Sequence, residues 1–238
     1  MTAVHDLRIK IFADGADLPS MVGLARLPHI KGLTTNPTLM RQAGIADYKA
    51  FASDVLAAIP DKPISFEVFA DEPVEMLRQA RLIASWGENV YVKMPVTTTD
   101  GASTEALVRQ LSMDGVKLNV TALMTPQQVS TVAAALEPGV PAIISVFAGR
   151  VADTGRDPVP LMTECVGLLA DLERIELIWA SPRELLNIFQ ADAIGCDIIT
   201  VTPDLLKKLD LVGKDLDEFS LETVQMFYRD ATMAGFQL

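Results

Sequence analysis

Short β-branched and aliphatic runs alternate along this chain with longer segments whose apolar residues recur at helical spacing. The runs predict strands over residues 8–13, 30–34, 63–69, 90–94, 117–120, 142–147, 176–180 and 197–201. Between them the pattern predicts helices from about 17 and over 47–59, 72–86, 103–114, 126–136, 158–172, 182–191 and 203–209. Segment 72–86 shows the helical period in Val74, Leu77, Leu82 and Ile83. Pro126, Pro158, Pro182 and Pro203 fall near predicted helix starts, where a missing N–H costs nothing. Strand–helix alternation of this kind implies a parallel sheet with crossover helices. Eight units without a Gly-x-Gly-x-x-Gly element favour an α/β fold of the (β/α)8 TIM barrel type over an open sheet. A further helix is expected at about 216–234, with Phe219, Leu221, Val224, Phe227 and Tyr228 forming an apolar side for the barrel or a neighbouring subunit. No linker or low-complexity stretch interrupts the units, so residues 1–238 read as one barrel domain with this extra C-terminal helix.

Composition narrows the function classes. Half of the 238 residues are apolar, ample for a large core, yet no apolar run reaches the length of a membrane span. The first residues lack the basic and then apolar layout of a signal peptide. Cys165 and Cys196 lack C-x-x-C spacing and suggest neither a disulfide framework nor a zinc site. A cytoplasmic location is the expectation. The net charge of −11 argues against general nucleic-acid binding, although a few arginines at one mouth can still hold a small anion. With His5 and His29 in unrelated segments, a histidine metal site or a Ser-His-Asp triad is not expected.

The candidate chemistry centres on Lys93, within the strand-like run Val90-Tyr91-Val92-Lys93-Met94. A lysine there must lose hydration, which disfavours the ammonium form and frees the amine to attack a carbonyl carbon. Its bland alternative is a strand-end lysine whose head reaches water. Barrel chemistry collects where strands end, so other polar residues should gather there. They do in sequence. Asp14 ends strand one, Thr34 and Asn36 follow strand two, and Glu67 sits in strand three. Asn119 and Thr121 fall on strand five, Ser145 and Phe147 on strand six with Arg150 after it, and Ser181 and Arg183 after strand seven.

Three segments carry a resemblance. Leu33-Thr34-Thr35-Asn36-Pro37-Thr38, Tyr91-Val92-Lys93-Met94-Pro95-Val96 and Ile144-Ser145-Val146-Phe147-Ala148-Gly149-Arg150-Val151 resemble motifs of the transaldolase family, including its small fructose-6-phosphate aldolase-like members. The resemblance implies a class I aldolase barrel without metal or organic cofactor, moving a dihydroxyacetone unit between phosphorylated sugars as in the pentose phosphate pathway. Under it Lys93 forms the Schiff base and Asp14 takes the proton of the C4 hydroxyl, while Glu67 and Thr121 hold a catalytic water. Asn36 and Asn119 would hydrogen-bond the dihydroxyacetone portion, with Thr34, Ser145 and Phe147 lining it, and Arg150, Ser181 and Arg183 would bind the phosphate.

The compact length of the chain resembles the fructose-6-phosphate aldolase-like branch that releases free dihydroxyacetone. Glu67 and Phe147 instead match the transferring branch, whereas the releasing branch carries glutamine and tyrosine there. The reading is transaldolase, with free release as the runner-up. Pro182 departs from the family pattern and leaves the placement of Arg183 less secure than that of Arg150. A sulfonate would suit the arginines nearly as well as a phosphate, so a sulfofructose transaldolase stands as an alternative. A barrel that binds sugar phosphate without reacting is the alternative from another class. The resemblance also implies a homo-oligomer, a pentamer or decamer.

Overall fold

The computed structural model of the chain describes residues 4–237; the ends of the expected 1–238 domain lie outside the described residues. Eight parallel strands form a closed barrel in sequence order, β8 pairing back onto β1. They are β1 (Lys10–Asp14), β2 (Ile30–Thr34), β3 (Ile64–Glu67), β4 (Val90–Pro95), β5 (Leu118–Leu123), β6 (Ala142–Val146), β7 (Ile175–Trp179) and β8 (Ile198–Val201). The helices that follow them are α1 (Leu18–Ala25), α2 (Pro37–Gln42), α3 (Tyr48–Ala58), α4 (Pro73–Ala84), α5 (Glu105–Met113), α6 (Pro126–Ala133), α7 (Ala148–Ala152), α8 (Pro158–Leu169), α9 (Leu186–Ala193) and α10 (Pro203–Leu206). The chain ends with α11 (Leu216–Ala234).

Strands covered on both faces need apolar residues at odd and even positions alike. β6 and β8 are accordingly buried throughout, and two separate cores result. One lies between sheet and helices. The other fills the barrel interior with Phe12, Ile143, Ile178, Ala180 and Ile198, against which Tyr91 and Phe147 pack. The Phe12 ring occupies the space a Cβ at Gly32 would need, coming within 2.5 Å of that point, so β2 must carry glycine there. This plug closes the floor beneath the polar ends of the strands.

Helix starts follow local chemistry. Asp17, Asn36, Asp47, Thr125 and Asp157 each accept a hydrogen bond from a backbone N–H of the helix they precede. Pro126, Pro158 and Pro203 open α6, α8 and α10 as expected. Pro182 does not: α9 begins only at Leu186, and the buried Pro182 belongs to the loop after β7. That loop turns sharply, with Ser181 in the left-handed region at φ 60°. The short helices α2 and α7 have no counterpart in the sequence pattern, because five or six residues are too few to display a period.

No residue of α11 is buried. Phe227 and Tyr228 are 62% and 74% exposed, so the barrel does not cover the apolar side of this helix.

Gly149, in α7, lies against the loop after β7. A Cβ there would stand 1.5 Å from the Ser181 carbonyl oxygen, which is backbone and cannot rotate away. Gly149→Ala is expected to cost about 2–3 kcal/mol by overpacking and to lower Tm by roughly 4–12 °C. Gly23→Ala in α1, where a Cβ meets open space, should leave Tm unchanged or slightly raised. Thermal melts of the two variants check the contrast.

Candidate active site

The strand ends open into a cavity of about 620 Å³ whose walls include Asp14, Thr34, Asn36, Glu67, Lys93, Asn119, Thr121, Ser145, Phe147, Arg150, Ser181 and Arg183. All twelve residues nominated from the sequence therefore face one space. Register explains the centre of the group. Glu67 pairs with Lys93 across β3 and β4, and Lys93 with Asn119 across β4 and β5, so three polar side chains stand abreast. Asp14 and Thr34 are paired in the same way on β1 and β2.

Lys93 is 7% exposed. Its Nζ lies 3.1 Å from Glu67 Oε2 and donates to the Thr35 carbonyl at 2.9 Å. A buried charge of this kind needs such partners, because water no longer supplies them. One proton transfer along the Lys93–Glu67 contact converts the ion pair into a neutral amine and a neutral acid. Asn119 is held rigid beside it: Nδ2 donates to Ser65 Oγ at 2.9 Å, and Oδ1 accepts from Ser145 Oγ at 2.7 Å. The buried Thr121 hydroxyl has no hydrogen-bond partner among the described residues. It lies within an irregularity of β5 between Val120 and Leu123, where the next residue, Ala122, adopts φ 67°. Left-handed backbone is costly for alanine, and such strain clusters where side chains must be aimed.

Asp14 accepts from Thr34 Oγ1 at 2.8 Å, and the Thr34 hydroxyl in turn bonds Thr200 Oγ1 at 2.5 Å. Asn36 Nδ2 makes a long contact of 3.5 Å to the other Asp14 oxygen, while its Oδ1 caps α2 through Leu39 N–H at 2.9 Å. The cap thus fixes which end of the Asn36 amide faces the carboxylate. Burial pushes the Asp14 carboxyl above the usual carboxylate range; the charge of Lys93 and the bonds from Thr34 and Asn36 only partly offset it. A carboxyl raised in this way is a stronger base than an ordinary aspartate and is suited to accept and return a proton.

The opposite wall is cationic. Arg150 places its guanidinium 5.6 Å from the Phe147 ring centroid. Arg183 donates from NH1 to Ser181 Oγ at 2.9 Å and grips Asp153 with a two-pronged fork whose Nε arm is 2.8 Å long. This fork holds the Asp153 carboxyl below its usual range.

Sequence reasoning passed over four contributors. Thr200 extends the hydroxyl chain to Asp14, Asp153 occupies Arg183, and the Thr35 carbonyl holds Lys93. Tyr48 bonds the backbone of Glu67, its hydroxyl donating to the carbonyl at 2.9 Å and accepting from the N–H at 2.7 Å. Only Thr200 carried a signal, as a lone hydroxyl in an apolar strand; the others join segments far apart in sequence. Among the described residues no group of three or more His, Cys, Asp or Glu side chains is arranged to hold a metal ion.

Known proteins share this frame. The fold is similar to dihydrodipicolinate synthase from Rhodopseudomonas palustris, with TM-score 0.58 and 18% identity over 93% of this chain and 81% of that one. A putative fructose-1,6-biphosphate aldolase from Coccidioides immitis gives TM-score 0.54 and 16% identity, covering 83% and 74%. Sequence relatives lie nearer. A "Probable transaldolase" from Dehalococcoides mccartyi is 35% identical over 202 residues, 84% of this chain and 90% of its own length. Another protein of that name, from Brucella anthropi, is 33% identical over 216 residues, 90% of this chain and 94% of its own. The family model described as Transaldolase/Fructose-6-phosphate aldolase matches residues 11–238. On this match and these relatives, the chain belongs to the transaldolase/fructose-6-phosphate aldolase family.

Proposed function

We propose that the chain is a transaldolase, transferring a dihydroxyacetone unit from a ketose phosphate of the fructose 6-phosphate or sedoheptulose 7-phosphate type to an aldose phosphate. The observation that carries this reading is the buried Lys93 amine, paired with Glu67 at 3.1 Å inside a polar cavity. In this mechanism Glu67 takes a proton from Lys93, and the free amine adds to the C2 carbonyl. Glu67, with a water held at the Thr121 hydroxyl, returns the proton to the leaving hydroxide, and a protonated imine forms. Asp14 then removes the C4 hydroxyl proton. The C3–C4 bond breaks, its electron pair enters the imine to give an enamine, and the aldose leaves as an aldehyde. An incoming aldehyde is attacked by the enamine, and Asp14 returns the proton to the new alkoxide. Hydrolysis through the same relay frees Lys93. Asn119 and Asn36 hold the hydroxyls of the three-carbon unit, Thr34, Ser145 and Phe147 shape its berth, and Arg150, Ser181 and Arg183 receive the anionic tail. The exposed apolar side of α11 supports a homo-oligomer in which a second copy covers it. A cytoplasmic location completes the reading.

One observation favours a second donor class. Arg150, Arg183 and Asp153 together carry one net positive charge, because Asp153 already occupies the Arg183 fork. That balance suits a singly charged sulfonate at least as well as a doubly charged phosphate.

Borohydride trapping tests the central step. Incubation with fructose 6-phosphate, followed by reduction and peptide mapping, should place a three-carbon adduct on Lys93 and none on Lys93→Ala. Absence of any adduct with both the phosphate and the sulfonate donor would sink the transaldolase reading in favour of a binding barrel. Phe147→Tyr adds a phenol that can protonate the enamine; free dihydroxyacetone release should rise relative to transfer, measured without and with an acceptor aldose.

Asp14 gives a pH prediction. A carboxyl whose pKa is raised in the folded state binds its proton more tightly there, so its contribution to stability falls as pH climbs from the ordinary aspartate range through the raised value. Asp14→Asn should therefore melt above the wild type at pH 7, with the difference shrinking on acidification, while losing cleavage activity. A variant less stable than the wild type at every pH would contradict the burial penalty.

A further inference from the structure

β2 and β3 share a short ladder, Leu33 opposite Ile64 and Thr34 opposite Ser65. Its bonds include Leu33 N–H to the Pro63 carbonyl at 2.9 Å and Thr35 N–H to the Ser65 carbonyl at 3.2 Å. In a parallel ladder one residue bonds the residues before and after its partner, in evenly spaced steps. The next bond would run from Glu67 N–H to the Thr35 carbonyl. One step further, residue 37 would donate to the Glu67 carbonyl, but Pro37 has no N–H to give.

Neither end of the missing bond is idle. Glu67 N–H donates to Tyr48 Oη at 2.7 Å, and the same hydroxyl donates to the Glu67 carbonyl at 2.9 Å. The Thr35 carbonyl accepts from Lys93 Nζ at 2.9 Å. A single phenol thus satisfies the whole backbone edge that β2 abandons. Tyr48 is itself seated firmly: it opens α3 behind the Asp47 cap, and its ring meets Phe66, Phe69 and Trp86 at centroid distances of 6.3, 5.5 and 5.8 Å. Burial holds its hydroxyl protonated well above the ordinary tyrosine range, so it keeps both donor and acceptor capacity.

We infer that Tyr48 is a positioning residue for the Lys93–Glu67 pair: its hydroxyl replaces β2 along the edge of Glu67 and thereby frees the Thr35 carbonyl to hold the Lys93 amine. The inference rests on Lys93 as the reacting amine. Thr35 accepts an N–H from the charged or the neutral form alike, so the nitrogen stays aimed while Glu67 exchanges its proton. Without the phenol, Glu67 N–H is left to seek the Thr35 carbonyl, and Lys93 loses its fixed anchor.

Tyr48→Phe keeps the ring contacts and removes only the hydroxyl. The first readout is the rate of reductive methylation at Lys93 by formaldehyde and cyanoborohydride, followed by peptide mapping with Lys208 as internal standard. It needs no sugar, so it stands apart from the identity of the substrate. We expect the Lys93 rate to fall about tenfold or more, and kcat with fructose 6-phosphate to fall in proportion while KM stays within about twofold. Trp86→Phe is the control: it loosens the same aromatic cluster but spares the hydroxyl, and should lower Tm without slowing Lys93. If Y48F does not fold, 4-aminophenylalanine at position 48 takes its place, since an aniline still donates to the Glu67 carbonyl but accepts poorly from its N–H. A wild-type Lys93 rate in the variant lacking the acceptor overturns the inference. So does an equal slowing in Trp86→Phe, which would reduce Tyr48 to packing. Failure of the sugar alone, with formaldehyde results as expected, would indict the proposed substrate and leave the positioning role standing.

Discussion

A buried amine has to be held by groups that leave it able to react. Full burial of an unpaired ammonium is prohibitive, while a perfect cage of acceptors would lock it in the charged form. The barrel meets both demands by giving Lys93 two unlike partners. The Glu67 carboxylate is able to take a proton; the Thr35 carbonyl is not, and only accepts a hydrogen bond from the nitrogen. Much of the surrounding architecture follows from supplying those two groups. β2 and β3 must stop pairing early enough to expose a carbonyl, Pro37 must turn the chain away, and a side chain from outside the sheet must satisfy the edge left behind. The Phe12 plug and Gly32 keep the floor apolar, so the pair stands at the closed end of a cavity rather than in a channel through the barrel.

The barrel was legible in the sequence because its strands are buried on both faces and its helices on one, which gives runs and periods that contrast plainly. The same rule brought the site into view: polar residues such as Lys93, Asn119 and Ser145 stand out in strands otherwise built from Val, Ile and Leu. What stayed hidden was of a different kind. α2 and α7 are shorter than two helical turns, and Pro182, which reads as a helix start, is instead part of a loop that α9 follows only four residues later. Tyr48, Asp153 and the Thr35 carbonyl act through contacts with segments 15 or more residues away, as in the Tyr48–Glu67 bond with its separation of 19. No local pattern encodes which backbone edge a ladder will leave unpaired.

Charge at the mouth shows how local arrangement overrides composition. The chain carries −11 overall, yet Arg150 and Arg183 converge on one wall. The Arg183 fork is not idle while it waits for a ligand, since Asp153 grips it and Ser181 accepts its third bond. Under the proposed function, an anionic tail would be bound mainly by Arg150, or would displace Asp153, whose carboxylate is half exposed. On that reading, binding the tail would exchange one anionic partner for another, which favours selectivity for head-group shape over raw charge attraction.

Of the three left-handed non-glycine residues among those described, Ala122 and Ser181 stand at the cavity end of the barrel, in β5 and after β7. Ala122 follows Thr121, and Ser181 has a proposed polar role itself; each costs free energy that the packing around it must offset. At Ser181 the offset is visible: the left-handed turn pushes its carbonyl into the space where Gly149 lacks a Cβ, so α7 and the loop after β7 lock together. That contact fixes Ser181 and Arg183 relative to Arg150, which sits one residue beyond Gly149. On the proposed function, the anionic tail and the reacting carbon of one substrate would be referred to the same rigid frame, the tail through α7 and the carbon through β4. Strain at Ala122 and Ser181 and desolvation at Asp14 lower stability at the mouth, and the apolar packing of the barrel must offset them. A closed barrel can tolerate this because its strands are paired all the way round, so the cost at the mouth is borne by the whole ladder rather than by an edge.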